Sequence, residues 1–220
     1  RGLGDVYKRQ VGLIEDEVYD INKSKKPLEL LLESPGGMFG SCRYKLPDIE
    51  DEKFYEDLFK KLEKYSVGYF FYNGGNDSAD TALKISQISN KLNYPLQCIA
   101  IPKTVDNDVF PIAQTLGAYT AAEQGAIFFE NISNENTTSS RQLIIHEIMG
   151  RSCGWLTAYT AKEYRSRLSQ REFLPEILID QQRWDIDAVY VPEIPIDFIF
   201  CSLQRDAKSS ILTAPSHIEY

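Results

Sequence analysis

Apolar positions along this chain follow two rhythms. Over residues 48–64, Phe54, Leu58 and Leu62 recur at four-residue spacing with Asp, Glu and Lys between them, which predicts an amphipathic helix. Residues 67–72 form instead a continuous apolar and aromatic run, VGYFFY, the pattern of a strand buried on both faces in a parallel sheet. The aromatic side chains Tyr69 to Tyr72 are therefore expected in the core. Further on, the pattern predicts a helix over 79–92, a strand over 96–101 and a helix over 117–131. A polar connector over 137–140 is followed by a strand over 143–148, a helix over 155–168 and a short strand over 188–191. Upstream, the apolar segment 28–33 stops at Ser34-Pro35-Gly36-Gly37, a strong loop signal. This alternation predicts an α/β fold: a doubly wound, mostly parallel sheet with helices on both faces. In such sheets ligands bind where loops leave the carboxyl ends of the strands, and each unusual polar cluster here sits at such an end.

Composition narrows the function classes. With 43% hydrophobic and 25% charged residues in 220, the chain reads as an ordinary globular protein able to bury a substantial core. The net charge of −8 argues against nucleic acid or a membrane surface as partner, because both are anionic. A small phosphorylated ligand remains compatible, since it needs only a few local cations and backbone N–H groups. Cys42, Cys98, Cys153 and Cys201 form no CxxC pair and have only His146 and His217 beside them. They read as reduced thiols of a cytoplasmic protein rather than as a zinc site or a disulfide framework. His146 falls inside a strand and reads as packing. No apolar run reaches the roughly 18 residues of a membrane span.

Three strand-end loops carry candidate chemistry. Gly74-Gly75-Asn76-Asp77-Ser78 lies between a strand and a helix, where glycines let the backbone approach a ligand and the helix N-terminus offers free N–H groups to an anion. Asp77 and Ser78 serve equally well as ordinary helix caps. Lys103-Thr104-Val105-Asp106-Asn107-Asp108 places two carboxylates around an amide, just after a cation and a hydroxyl. Phosphoryl transfer needs a base near the attacking hydroxyl, positive charge on the transferred group and donors to hold it, and this segment offers all three. The competing reading is a solvated acidic turn. Met149-Gly150-Arg151 closes another strand, with a guanidinium suited to a pair of phosphate oxygens. Arg43 follows the earlier glycine-rich loop, and Glu193 follows the last strand, where it could accept from sugar hydroxyls.

Taken together and in this order, SPGGMFGSCRYK, GGNDSADT, PKTVDND, EIMGR and a later PE resemble the phosphofructokinases. The resemblance runs over about residues 11–200 and is most specific from Leu30 to Glu193. It implies that Asp106 is the base for the 1-hydroxyl of fructose 6-phosphate and that Asp108 places magnesium or the reacting oxygens. It puts Thr104 on the transferred phosphoryl group or the sugar phosphate, and Met149, Gly150, Arg151 and Glu193 on the sugar phosphate. Gly74, Gly75, Asp77, Ser78 and Arg43 then belong to the donor side, with Lys103 acting on the reacting phosphates. Asn76 stands where many relatives have an acidic residue around magnesium, which makes Asn76 and Asp108 the metal candidates. ATP-using relatives read GGDGS, with Gly before TIDND; Asp77 and Lys103 stand in those two places here. A carboxylate at Asp77 opposes the α-phosphate side of ATP, and Lys103 favours a compact pyrophosphate, a repulsive and an attractive element together.

The resemblance therefore implies a pyrophosphate-dependent enzyme of glycolysis that uses magnesium, is cytoplasmic and self-associates. An ATP-dependent sugar kinase and an inactive phosphate-binding fragment are the rival readings. The expected domains are a donor-binding one over 11–136, lacking the family's first strand and phosphate loop, and part of a sugar-phosphate-binding one over 137–200. Residues 1–10 read as a non-native leader, and 201–220 as an unassigned tail, so the fold is expected to be incomplete at both ends.

Overall fold

A computed structural model describes residues 3–4, 10–34, 40–138, 143–150, 152–194 and 210–215. The chain divides into two compact units: Arg1–Asn73 with Asp77–Ile101, and Gly74–Asn76 with Pro102–Tyr220.

In the first unit, β1 (Leu3–Gly4) pairs antiparallel with β2 (Tyr19–Asp20), and α1 (Gln10–Ile14) lies between them in sequence. Helix α2 (Glu52–Lys64) starts later than its apolar pattern suggests. The reason is local: residues 48–51 form a turn, and the Asp51 carboxylate accepts from the Phe54 N–H at 3.2 Å, ending the turn and capping the helix. Lys61 and Lys64 lie in its last turn, where cations suit the helix dipole, and Lys64 pairs with Asp16.

β3 (Tyr69–Gly74) and β4 (Gln97–Pro102) form a two-stranded sheet joined through α3 (Asn76–Lys91). Gly68 accepts from the Gln97 N–H and Gly74 from the Lys103 N–H, a constant offset that makes the pair parallel. Tyr55, Leu58, Phe59 and Leu62 of α2 and Ile85 and Ile88 of α3 pack into one core, with Leu96 from the loop before β4 and Phe70 of β3 against it. Each fully buried side chain of this kind contributes about 1.5–3 kcal/mol of burial free energy. The buried phenols are satisfied: Tyr55 donates to the Pro47 carbonyl and Tyr94 to that of Val67, both at 2.8 Å.

The expectation that β3 is buried on both faces does not hold. Tyr69 and Phe71 are 68% and 61% exposed, while Phe70 points into the core. Helices α2 and α3 cover one face, and among the described residues of this unit no layer covers the other, so the strand alternates. The segment Leu28–Glu33 is a 3₁₀ helix whose leucines are exposed.

In the second unit, α4 (Ala118–Asn136) and α5 (Trp155–Leu168) pack side by side. Small residues permit the approach: a Cβ on Gly125 would already stand 3.0 Å from the Thr160 hydroxyl. Tyr164 of α5 is 1% exposed, and its hydroxyl lies 2.9 Å from Ser133 Oγ of α4. Arg167 closes a fork on one oxygen of Glu130, with both nitrogens within 2.9 Å. β5 (Leu143–Ile148) and β6 (Ala188–Val189) each pair in parallel with β7 (Ser210–Pro215), which lies between them. The sequence pattern assigns no structure to 201–220, yet Ser210–Pro215 is a strand, paired with partners far away in sequence that spacing along the chain does not reveal. Residues 201–209 and 216–220 lie outside the described ones, as does most of the expected leader.

Candidate active site

Strands β3 and β4 run parallel and end side by side, so the loops leaving them start at the same edge. The Lys103 N–H donates to the Gly74 carbonyl at 2.8 Å, and an added Cβ on Gly75 would lie 3.6 Å from Thr104 Cβ. Helix α3 begins at Asn76, three residues sooner than the pattern predicts. Asn, Asp and Ser are common loop residues, but they are also the ones best tolerated in a first helical turn, where N–H groups have no carbonyl four residues back. Asn76, Asp77 and Ser78 are thus helical, and the free N–H groups of that turn come directly after the two glycines.

The 103–108 segment is held from several sides. Thr104 Oγ1 accepts from the Asp106 N–H at 3.2 Å, which uses one lone pair and leaves the hydroxyl proton to donate elsewhere. Asn76 Nδ2 donates to Asp108 Oδ2 at 3.0 Å, so this amide orients a carboxylate. Val105 packs beside Ile148, Leu156 and Ala122, anchoring the loop to the second unit's core. Among the described residues the Asp106 carboxylate has no protein hydrogen bond, which leaves it available to a ligand. Lys103 and Asp108 are exposed, and Asp106 is half-buried.

The loop after β5 comes to the same place. Cys153 Sγ stands 3.2 Å from the Asp106 carbonyl. Burial raises the pKa of this thiol; the Trp155 N–H opposes that rise, and the nearby carboxylates of Glu193, Asp108 and Asp106 each add a weaker push upward. Three carboxylates thus act on one half-buried sulfur. The Gly154 N–H, at the start of α5, donates to Glu193 Oε1 at 2.8 Å. Gly150 has φ +134°, a region that favours glycine, and Met149 is 66% exposed.

The structure therefore gathers Gly74, Gly75, Asn76, Lys103, Thr104, Asp106, Asp108, Met149, Gly150 and Glu193 within the second unit. Arg151 lies outside the described residues. Asp77, Ser78 and Arg43 fall in the first unit; Arg43 and Asp77 are exposed there. The pattern reading missed Asn107, Thr115, Cys153 and Gly154, which bind other parts of the site rather than presenting chemistry. The competing turn reading of the D-N-D triplet covered Asn107 without showing what its amide holds; nothing local marks Thr115, eleven residues from the carbonyl it bonds.

Oxygen donors dominate this cluster, and among the described residues no group of three His, Cys, Asp or Glu side chains could hold a metal by itself. Such a donor set suits magnesium, which takes one or two carboxylates and completes its shell with phosphate oxygens and water. No helix among the described residues is long and apolar enough to cross a membrane.

Comparison with known proteins places these features in a family. The profile of the phosphofructokinase family matches residues 6–208. Pyrophosphate–fructose 6-phosphate 1-phosphotransferase of Methylomonas methanica is 42% identical over 208 residues, covering 90% of this chain and 50% of that protein. The protein of the same name from Mastigamoeba balamuthi is 49% identical over 137 residues, which is 62% of this chain and 33% of that protein. Among solved structures, the pyrophosphate-dependent phosphofructokinase from Marinobacter aquaeolei superposes with a TM-score of 0.71 at 32% identity. It covers 96% of this chain and 50% of its own. The corresponding enzyme from Nitrosospira multiformis gives 0.72 at 32% identity, with coverages of 93% and 49%. The chain spans about half the length of the first of these relatives and of both structures.

Proposed function

The chain belongs to the phosphofructokinase family, and from that premise we propose that it carries catalytic machinery for reversible phosphoryl transfer from pyrophosphate to the 1-hydroxyl of fructose 6-phosphate, giving fructose 1,6-bisphosphate. The observation that supports this most is the Lys103–Asp108 loop, tied to Gly74 and Asn76 so that a cation, a hydroxyl and two carboxylates share one strand edge.

Each residue has a role in this reading. The carboxylate of Asp106, which makes no hydrogen bond among the described residues, accepts the proton of the 1-hydroxyl as the oxygen attacks phosphorus. Thr104 donates its hydroxyl proton to a phosphoryl oxygen, and the Lys103 ammonium neutralises charge on the pyrophosphate. Asp108, oriented by Asn76, would hold magnesium, which when bound supplies positive charge to the phosphate oxygens. Asn76 acts through Asp108 rather than as a primary ligand. Gly74, Gly75, Asp77, Ser78 and Arg43 serve the donor, within a functional division of 11–136; Met149, Gly150, Arg151 and Glu193 serve the sugar phosphate within 137–200. One Glu193 oxygen is taken by the Gly154 N–H, and the second accepts from a sugar hydroxyl. Pyrophosphate is favoured over ATP by Asp77 and Lys103, and the four relatives described above carry that donor in their names. We place the whole protein in the cytoplasm as a homo-oligomer.

The direct experiment measures fructose 1,6-bisphosphate formation by the chain with pyrophosphate or ATP, with and without magnesium. Product with pyrophosphate and magnesium alone is expected. Turnover with ATP only would overturn the donor, and silence with both would leave an inactive phosphate-binding fragment. Replacing Asp77→Gly and Lys103→Gly together should weaken pyrophosphate use; unchanged donor kinetics would remove the selectivity argument.

A further inference from the structure

Between the two carboxylates of the 103–108 loop lies Asn107, and its side chain is committed elsewhere. Its φ is +55°, and it is the one left-handed residue between Lys103 and Leu116. L-residues adopt this conformation at an energetic cost, which asparagine tolerates best when its amide bonds locally. Here Asn107 Oδ1 accepts from the Thr115 N–H at 2.8 Å, and Nδ2 donates to the Ala113 carbonyl at 3.2 Å. The Thr115 hydroxyl lies 2.6 Å from the Thr104 carbonyl and 3.0 Å from Asn107 Oδ1; it has one proton, and the shorter contact takes it. Thr115 is 1% exposed, so the bonds it makes are shielded from water, while the one from Asn107 to Ala113 lies at the surface.

We propose that Asn107 is a positioning residue that fixes the directions of Asp106 and Asp108 by stapling their turn to residues 113–115. The proposal rests on the reading of Asp106 as base. The chain turns at Asn107, so the dihedrals of this residue set how the carboxylate of Asp108 stands relative to that of Asp106. Thr104 is tied at its carbonyl to Thr115 and at its hydroxyl to the Asp106 amide, and Asp106 is contacted at its carbonyl by Cys153. Asn107 adds two further ties, from the turn itself to Ala113 and Thr115. Without its side chain the turn is free to relax to ordinary right-handed or extended backbone, and Asp108 leaves Asn76. An interaction that holds reacting groups in register is expected to act on turnover more than on substrate affinity.

The test compares Asn107→Gly and Asn107→Asp with the unaltered full chain. Glycine keeps the left-handed backbone available and removes the staple. Aspartate keeps an acceptor for the Thr115 N–H and adds a third carboxylate. Amide hydrogen exchange of the Thr115 N–H should speed by about 10-fold or more in Asn107→Gly and stay near the original in Asn107→Asp. The kcat of pyrophosphate-dependent turnover should fall about 10-fold or more in Asn107→Gly, with both KM values changed less than about 3-fold. Unchanged exchange in Asn107→Gly overturns the staple whatever the activity. Faster exchange with unchanged kcat overturns the positioning role and leaves the reaction assignment intact. If the unaltered chain gives no product while exchange in Asn107→Gly is faster, the reaction assignment fails with the positioning role, and only the structural staple stands.

Discussion

The backbone N–H of Gly154 donates to Glu193 Oε1 at 2.8 Å, joining the first turn of α5 to the segment that follows β6 across 39 residues of sequence. The fit permits no side chain. A Cβ on Gly154 would stand 2.3 Å from Val191 Cβ and 2.7 Å from Glu193 Oε2. Gly154→Ala should therefore lower stability by about 1–3 kcal/mol through overpacking, and displace Glu193 as well. A thermal melt of Gly154→Ala beside Glu193→Ala separates the two effects. The glycine variant should melt lower than the glutamate variant, because it meets the Val191 side chain in addition to losing the bond.

Asp106→Asn should reduce turnover by about 10²-fold or more while leaving the melting temperature within about 1 °C. The carboxylate makes no protein hydrogen bond among the described residues, so its loss removes chemistry without removing a structural contact. Near-normal turnover in this variant would exclude Asp106 as the base.

Gly75 and Gly150 should respond differently to alanine. At Gly75 the nearest atom to a new Cβ is 3.6 Å away, an ordinary contact, so Gly75→Ala should fold normally and test the donor loop alone. At Gly150 the same atom would lie 2.3 Å from the Cys153 carbonyl oxygen, on a backbone with φ +134°. Gly150→Ala should cost about 2 kcal/mol or more, a fall of several degrees in Tm. Equal melts for the two variants would contradict the geometry. Inorganic pyrophosphate binding by Gly75→Ala, measured calorimetrically, should weaken several-fold.

His146 gives a pH dependence with a definite sign. Its ring, half-buried and 5.4 Å from that of Phe129, has a pKa lowered from 6.5 by burial. Well above 6.5 the imidazole is neutral folded and unfolded, and it contributes nothing to the pH dependence there. Below 6.5 the unfolded chain gains a proton that the folded chain resists, so stability falls as pH decreases toward the lowered folded value. Urea melts from pH 7.5 to 5.5 should show that slope, and His146→Phe should flatten it. An identical slope in the variant would assign the pH dependence to other groups.

Hydrophobic period alone determined much of this protein. It located α5 and β5 to the residue, placed α2, β3, α3, β4 and α4 within a few positions, and put the Gly74–Ser78 and Lys103–Asp108 loops at strand ends. Those features are local: burial on one side writes a 3.6 or 2.0 rhythm into the chain, and loop chemistry interrupts it. The residue types in those loops, read in order, were enough to identify the family.

Tertiary structure decided the rest. Exposure of Tyr69 and Phe71 depends on which layers cover β3, and an apolar run cannot say whether one face or two are covered. The helical state of Asn76–Ser78 was settled by where β3 ends, since those residues suit a loop and a first turn equally. Above all, the bonds that hold the site are long in sequence: Asn76 to Asp108, Cys153 to Asp106, Gly154 to Glu193. A hydrogen bond leaves its mark on distance in space, not on spacing along the chain, so the reactive groups could be read from sequence while the residues that aim them could not.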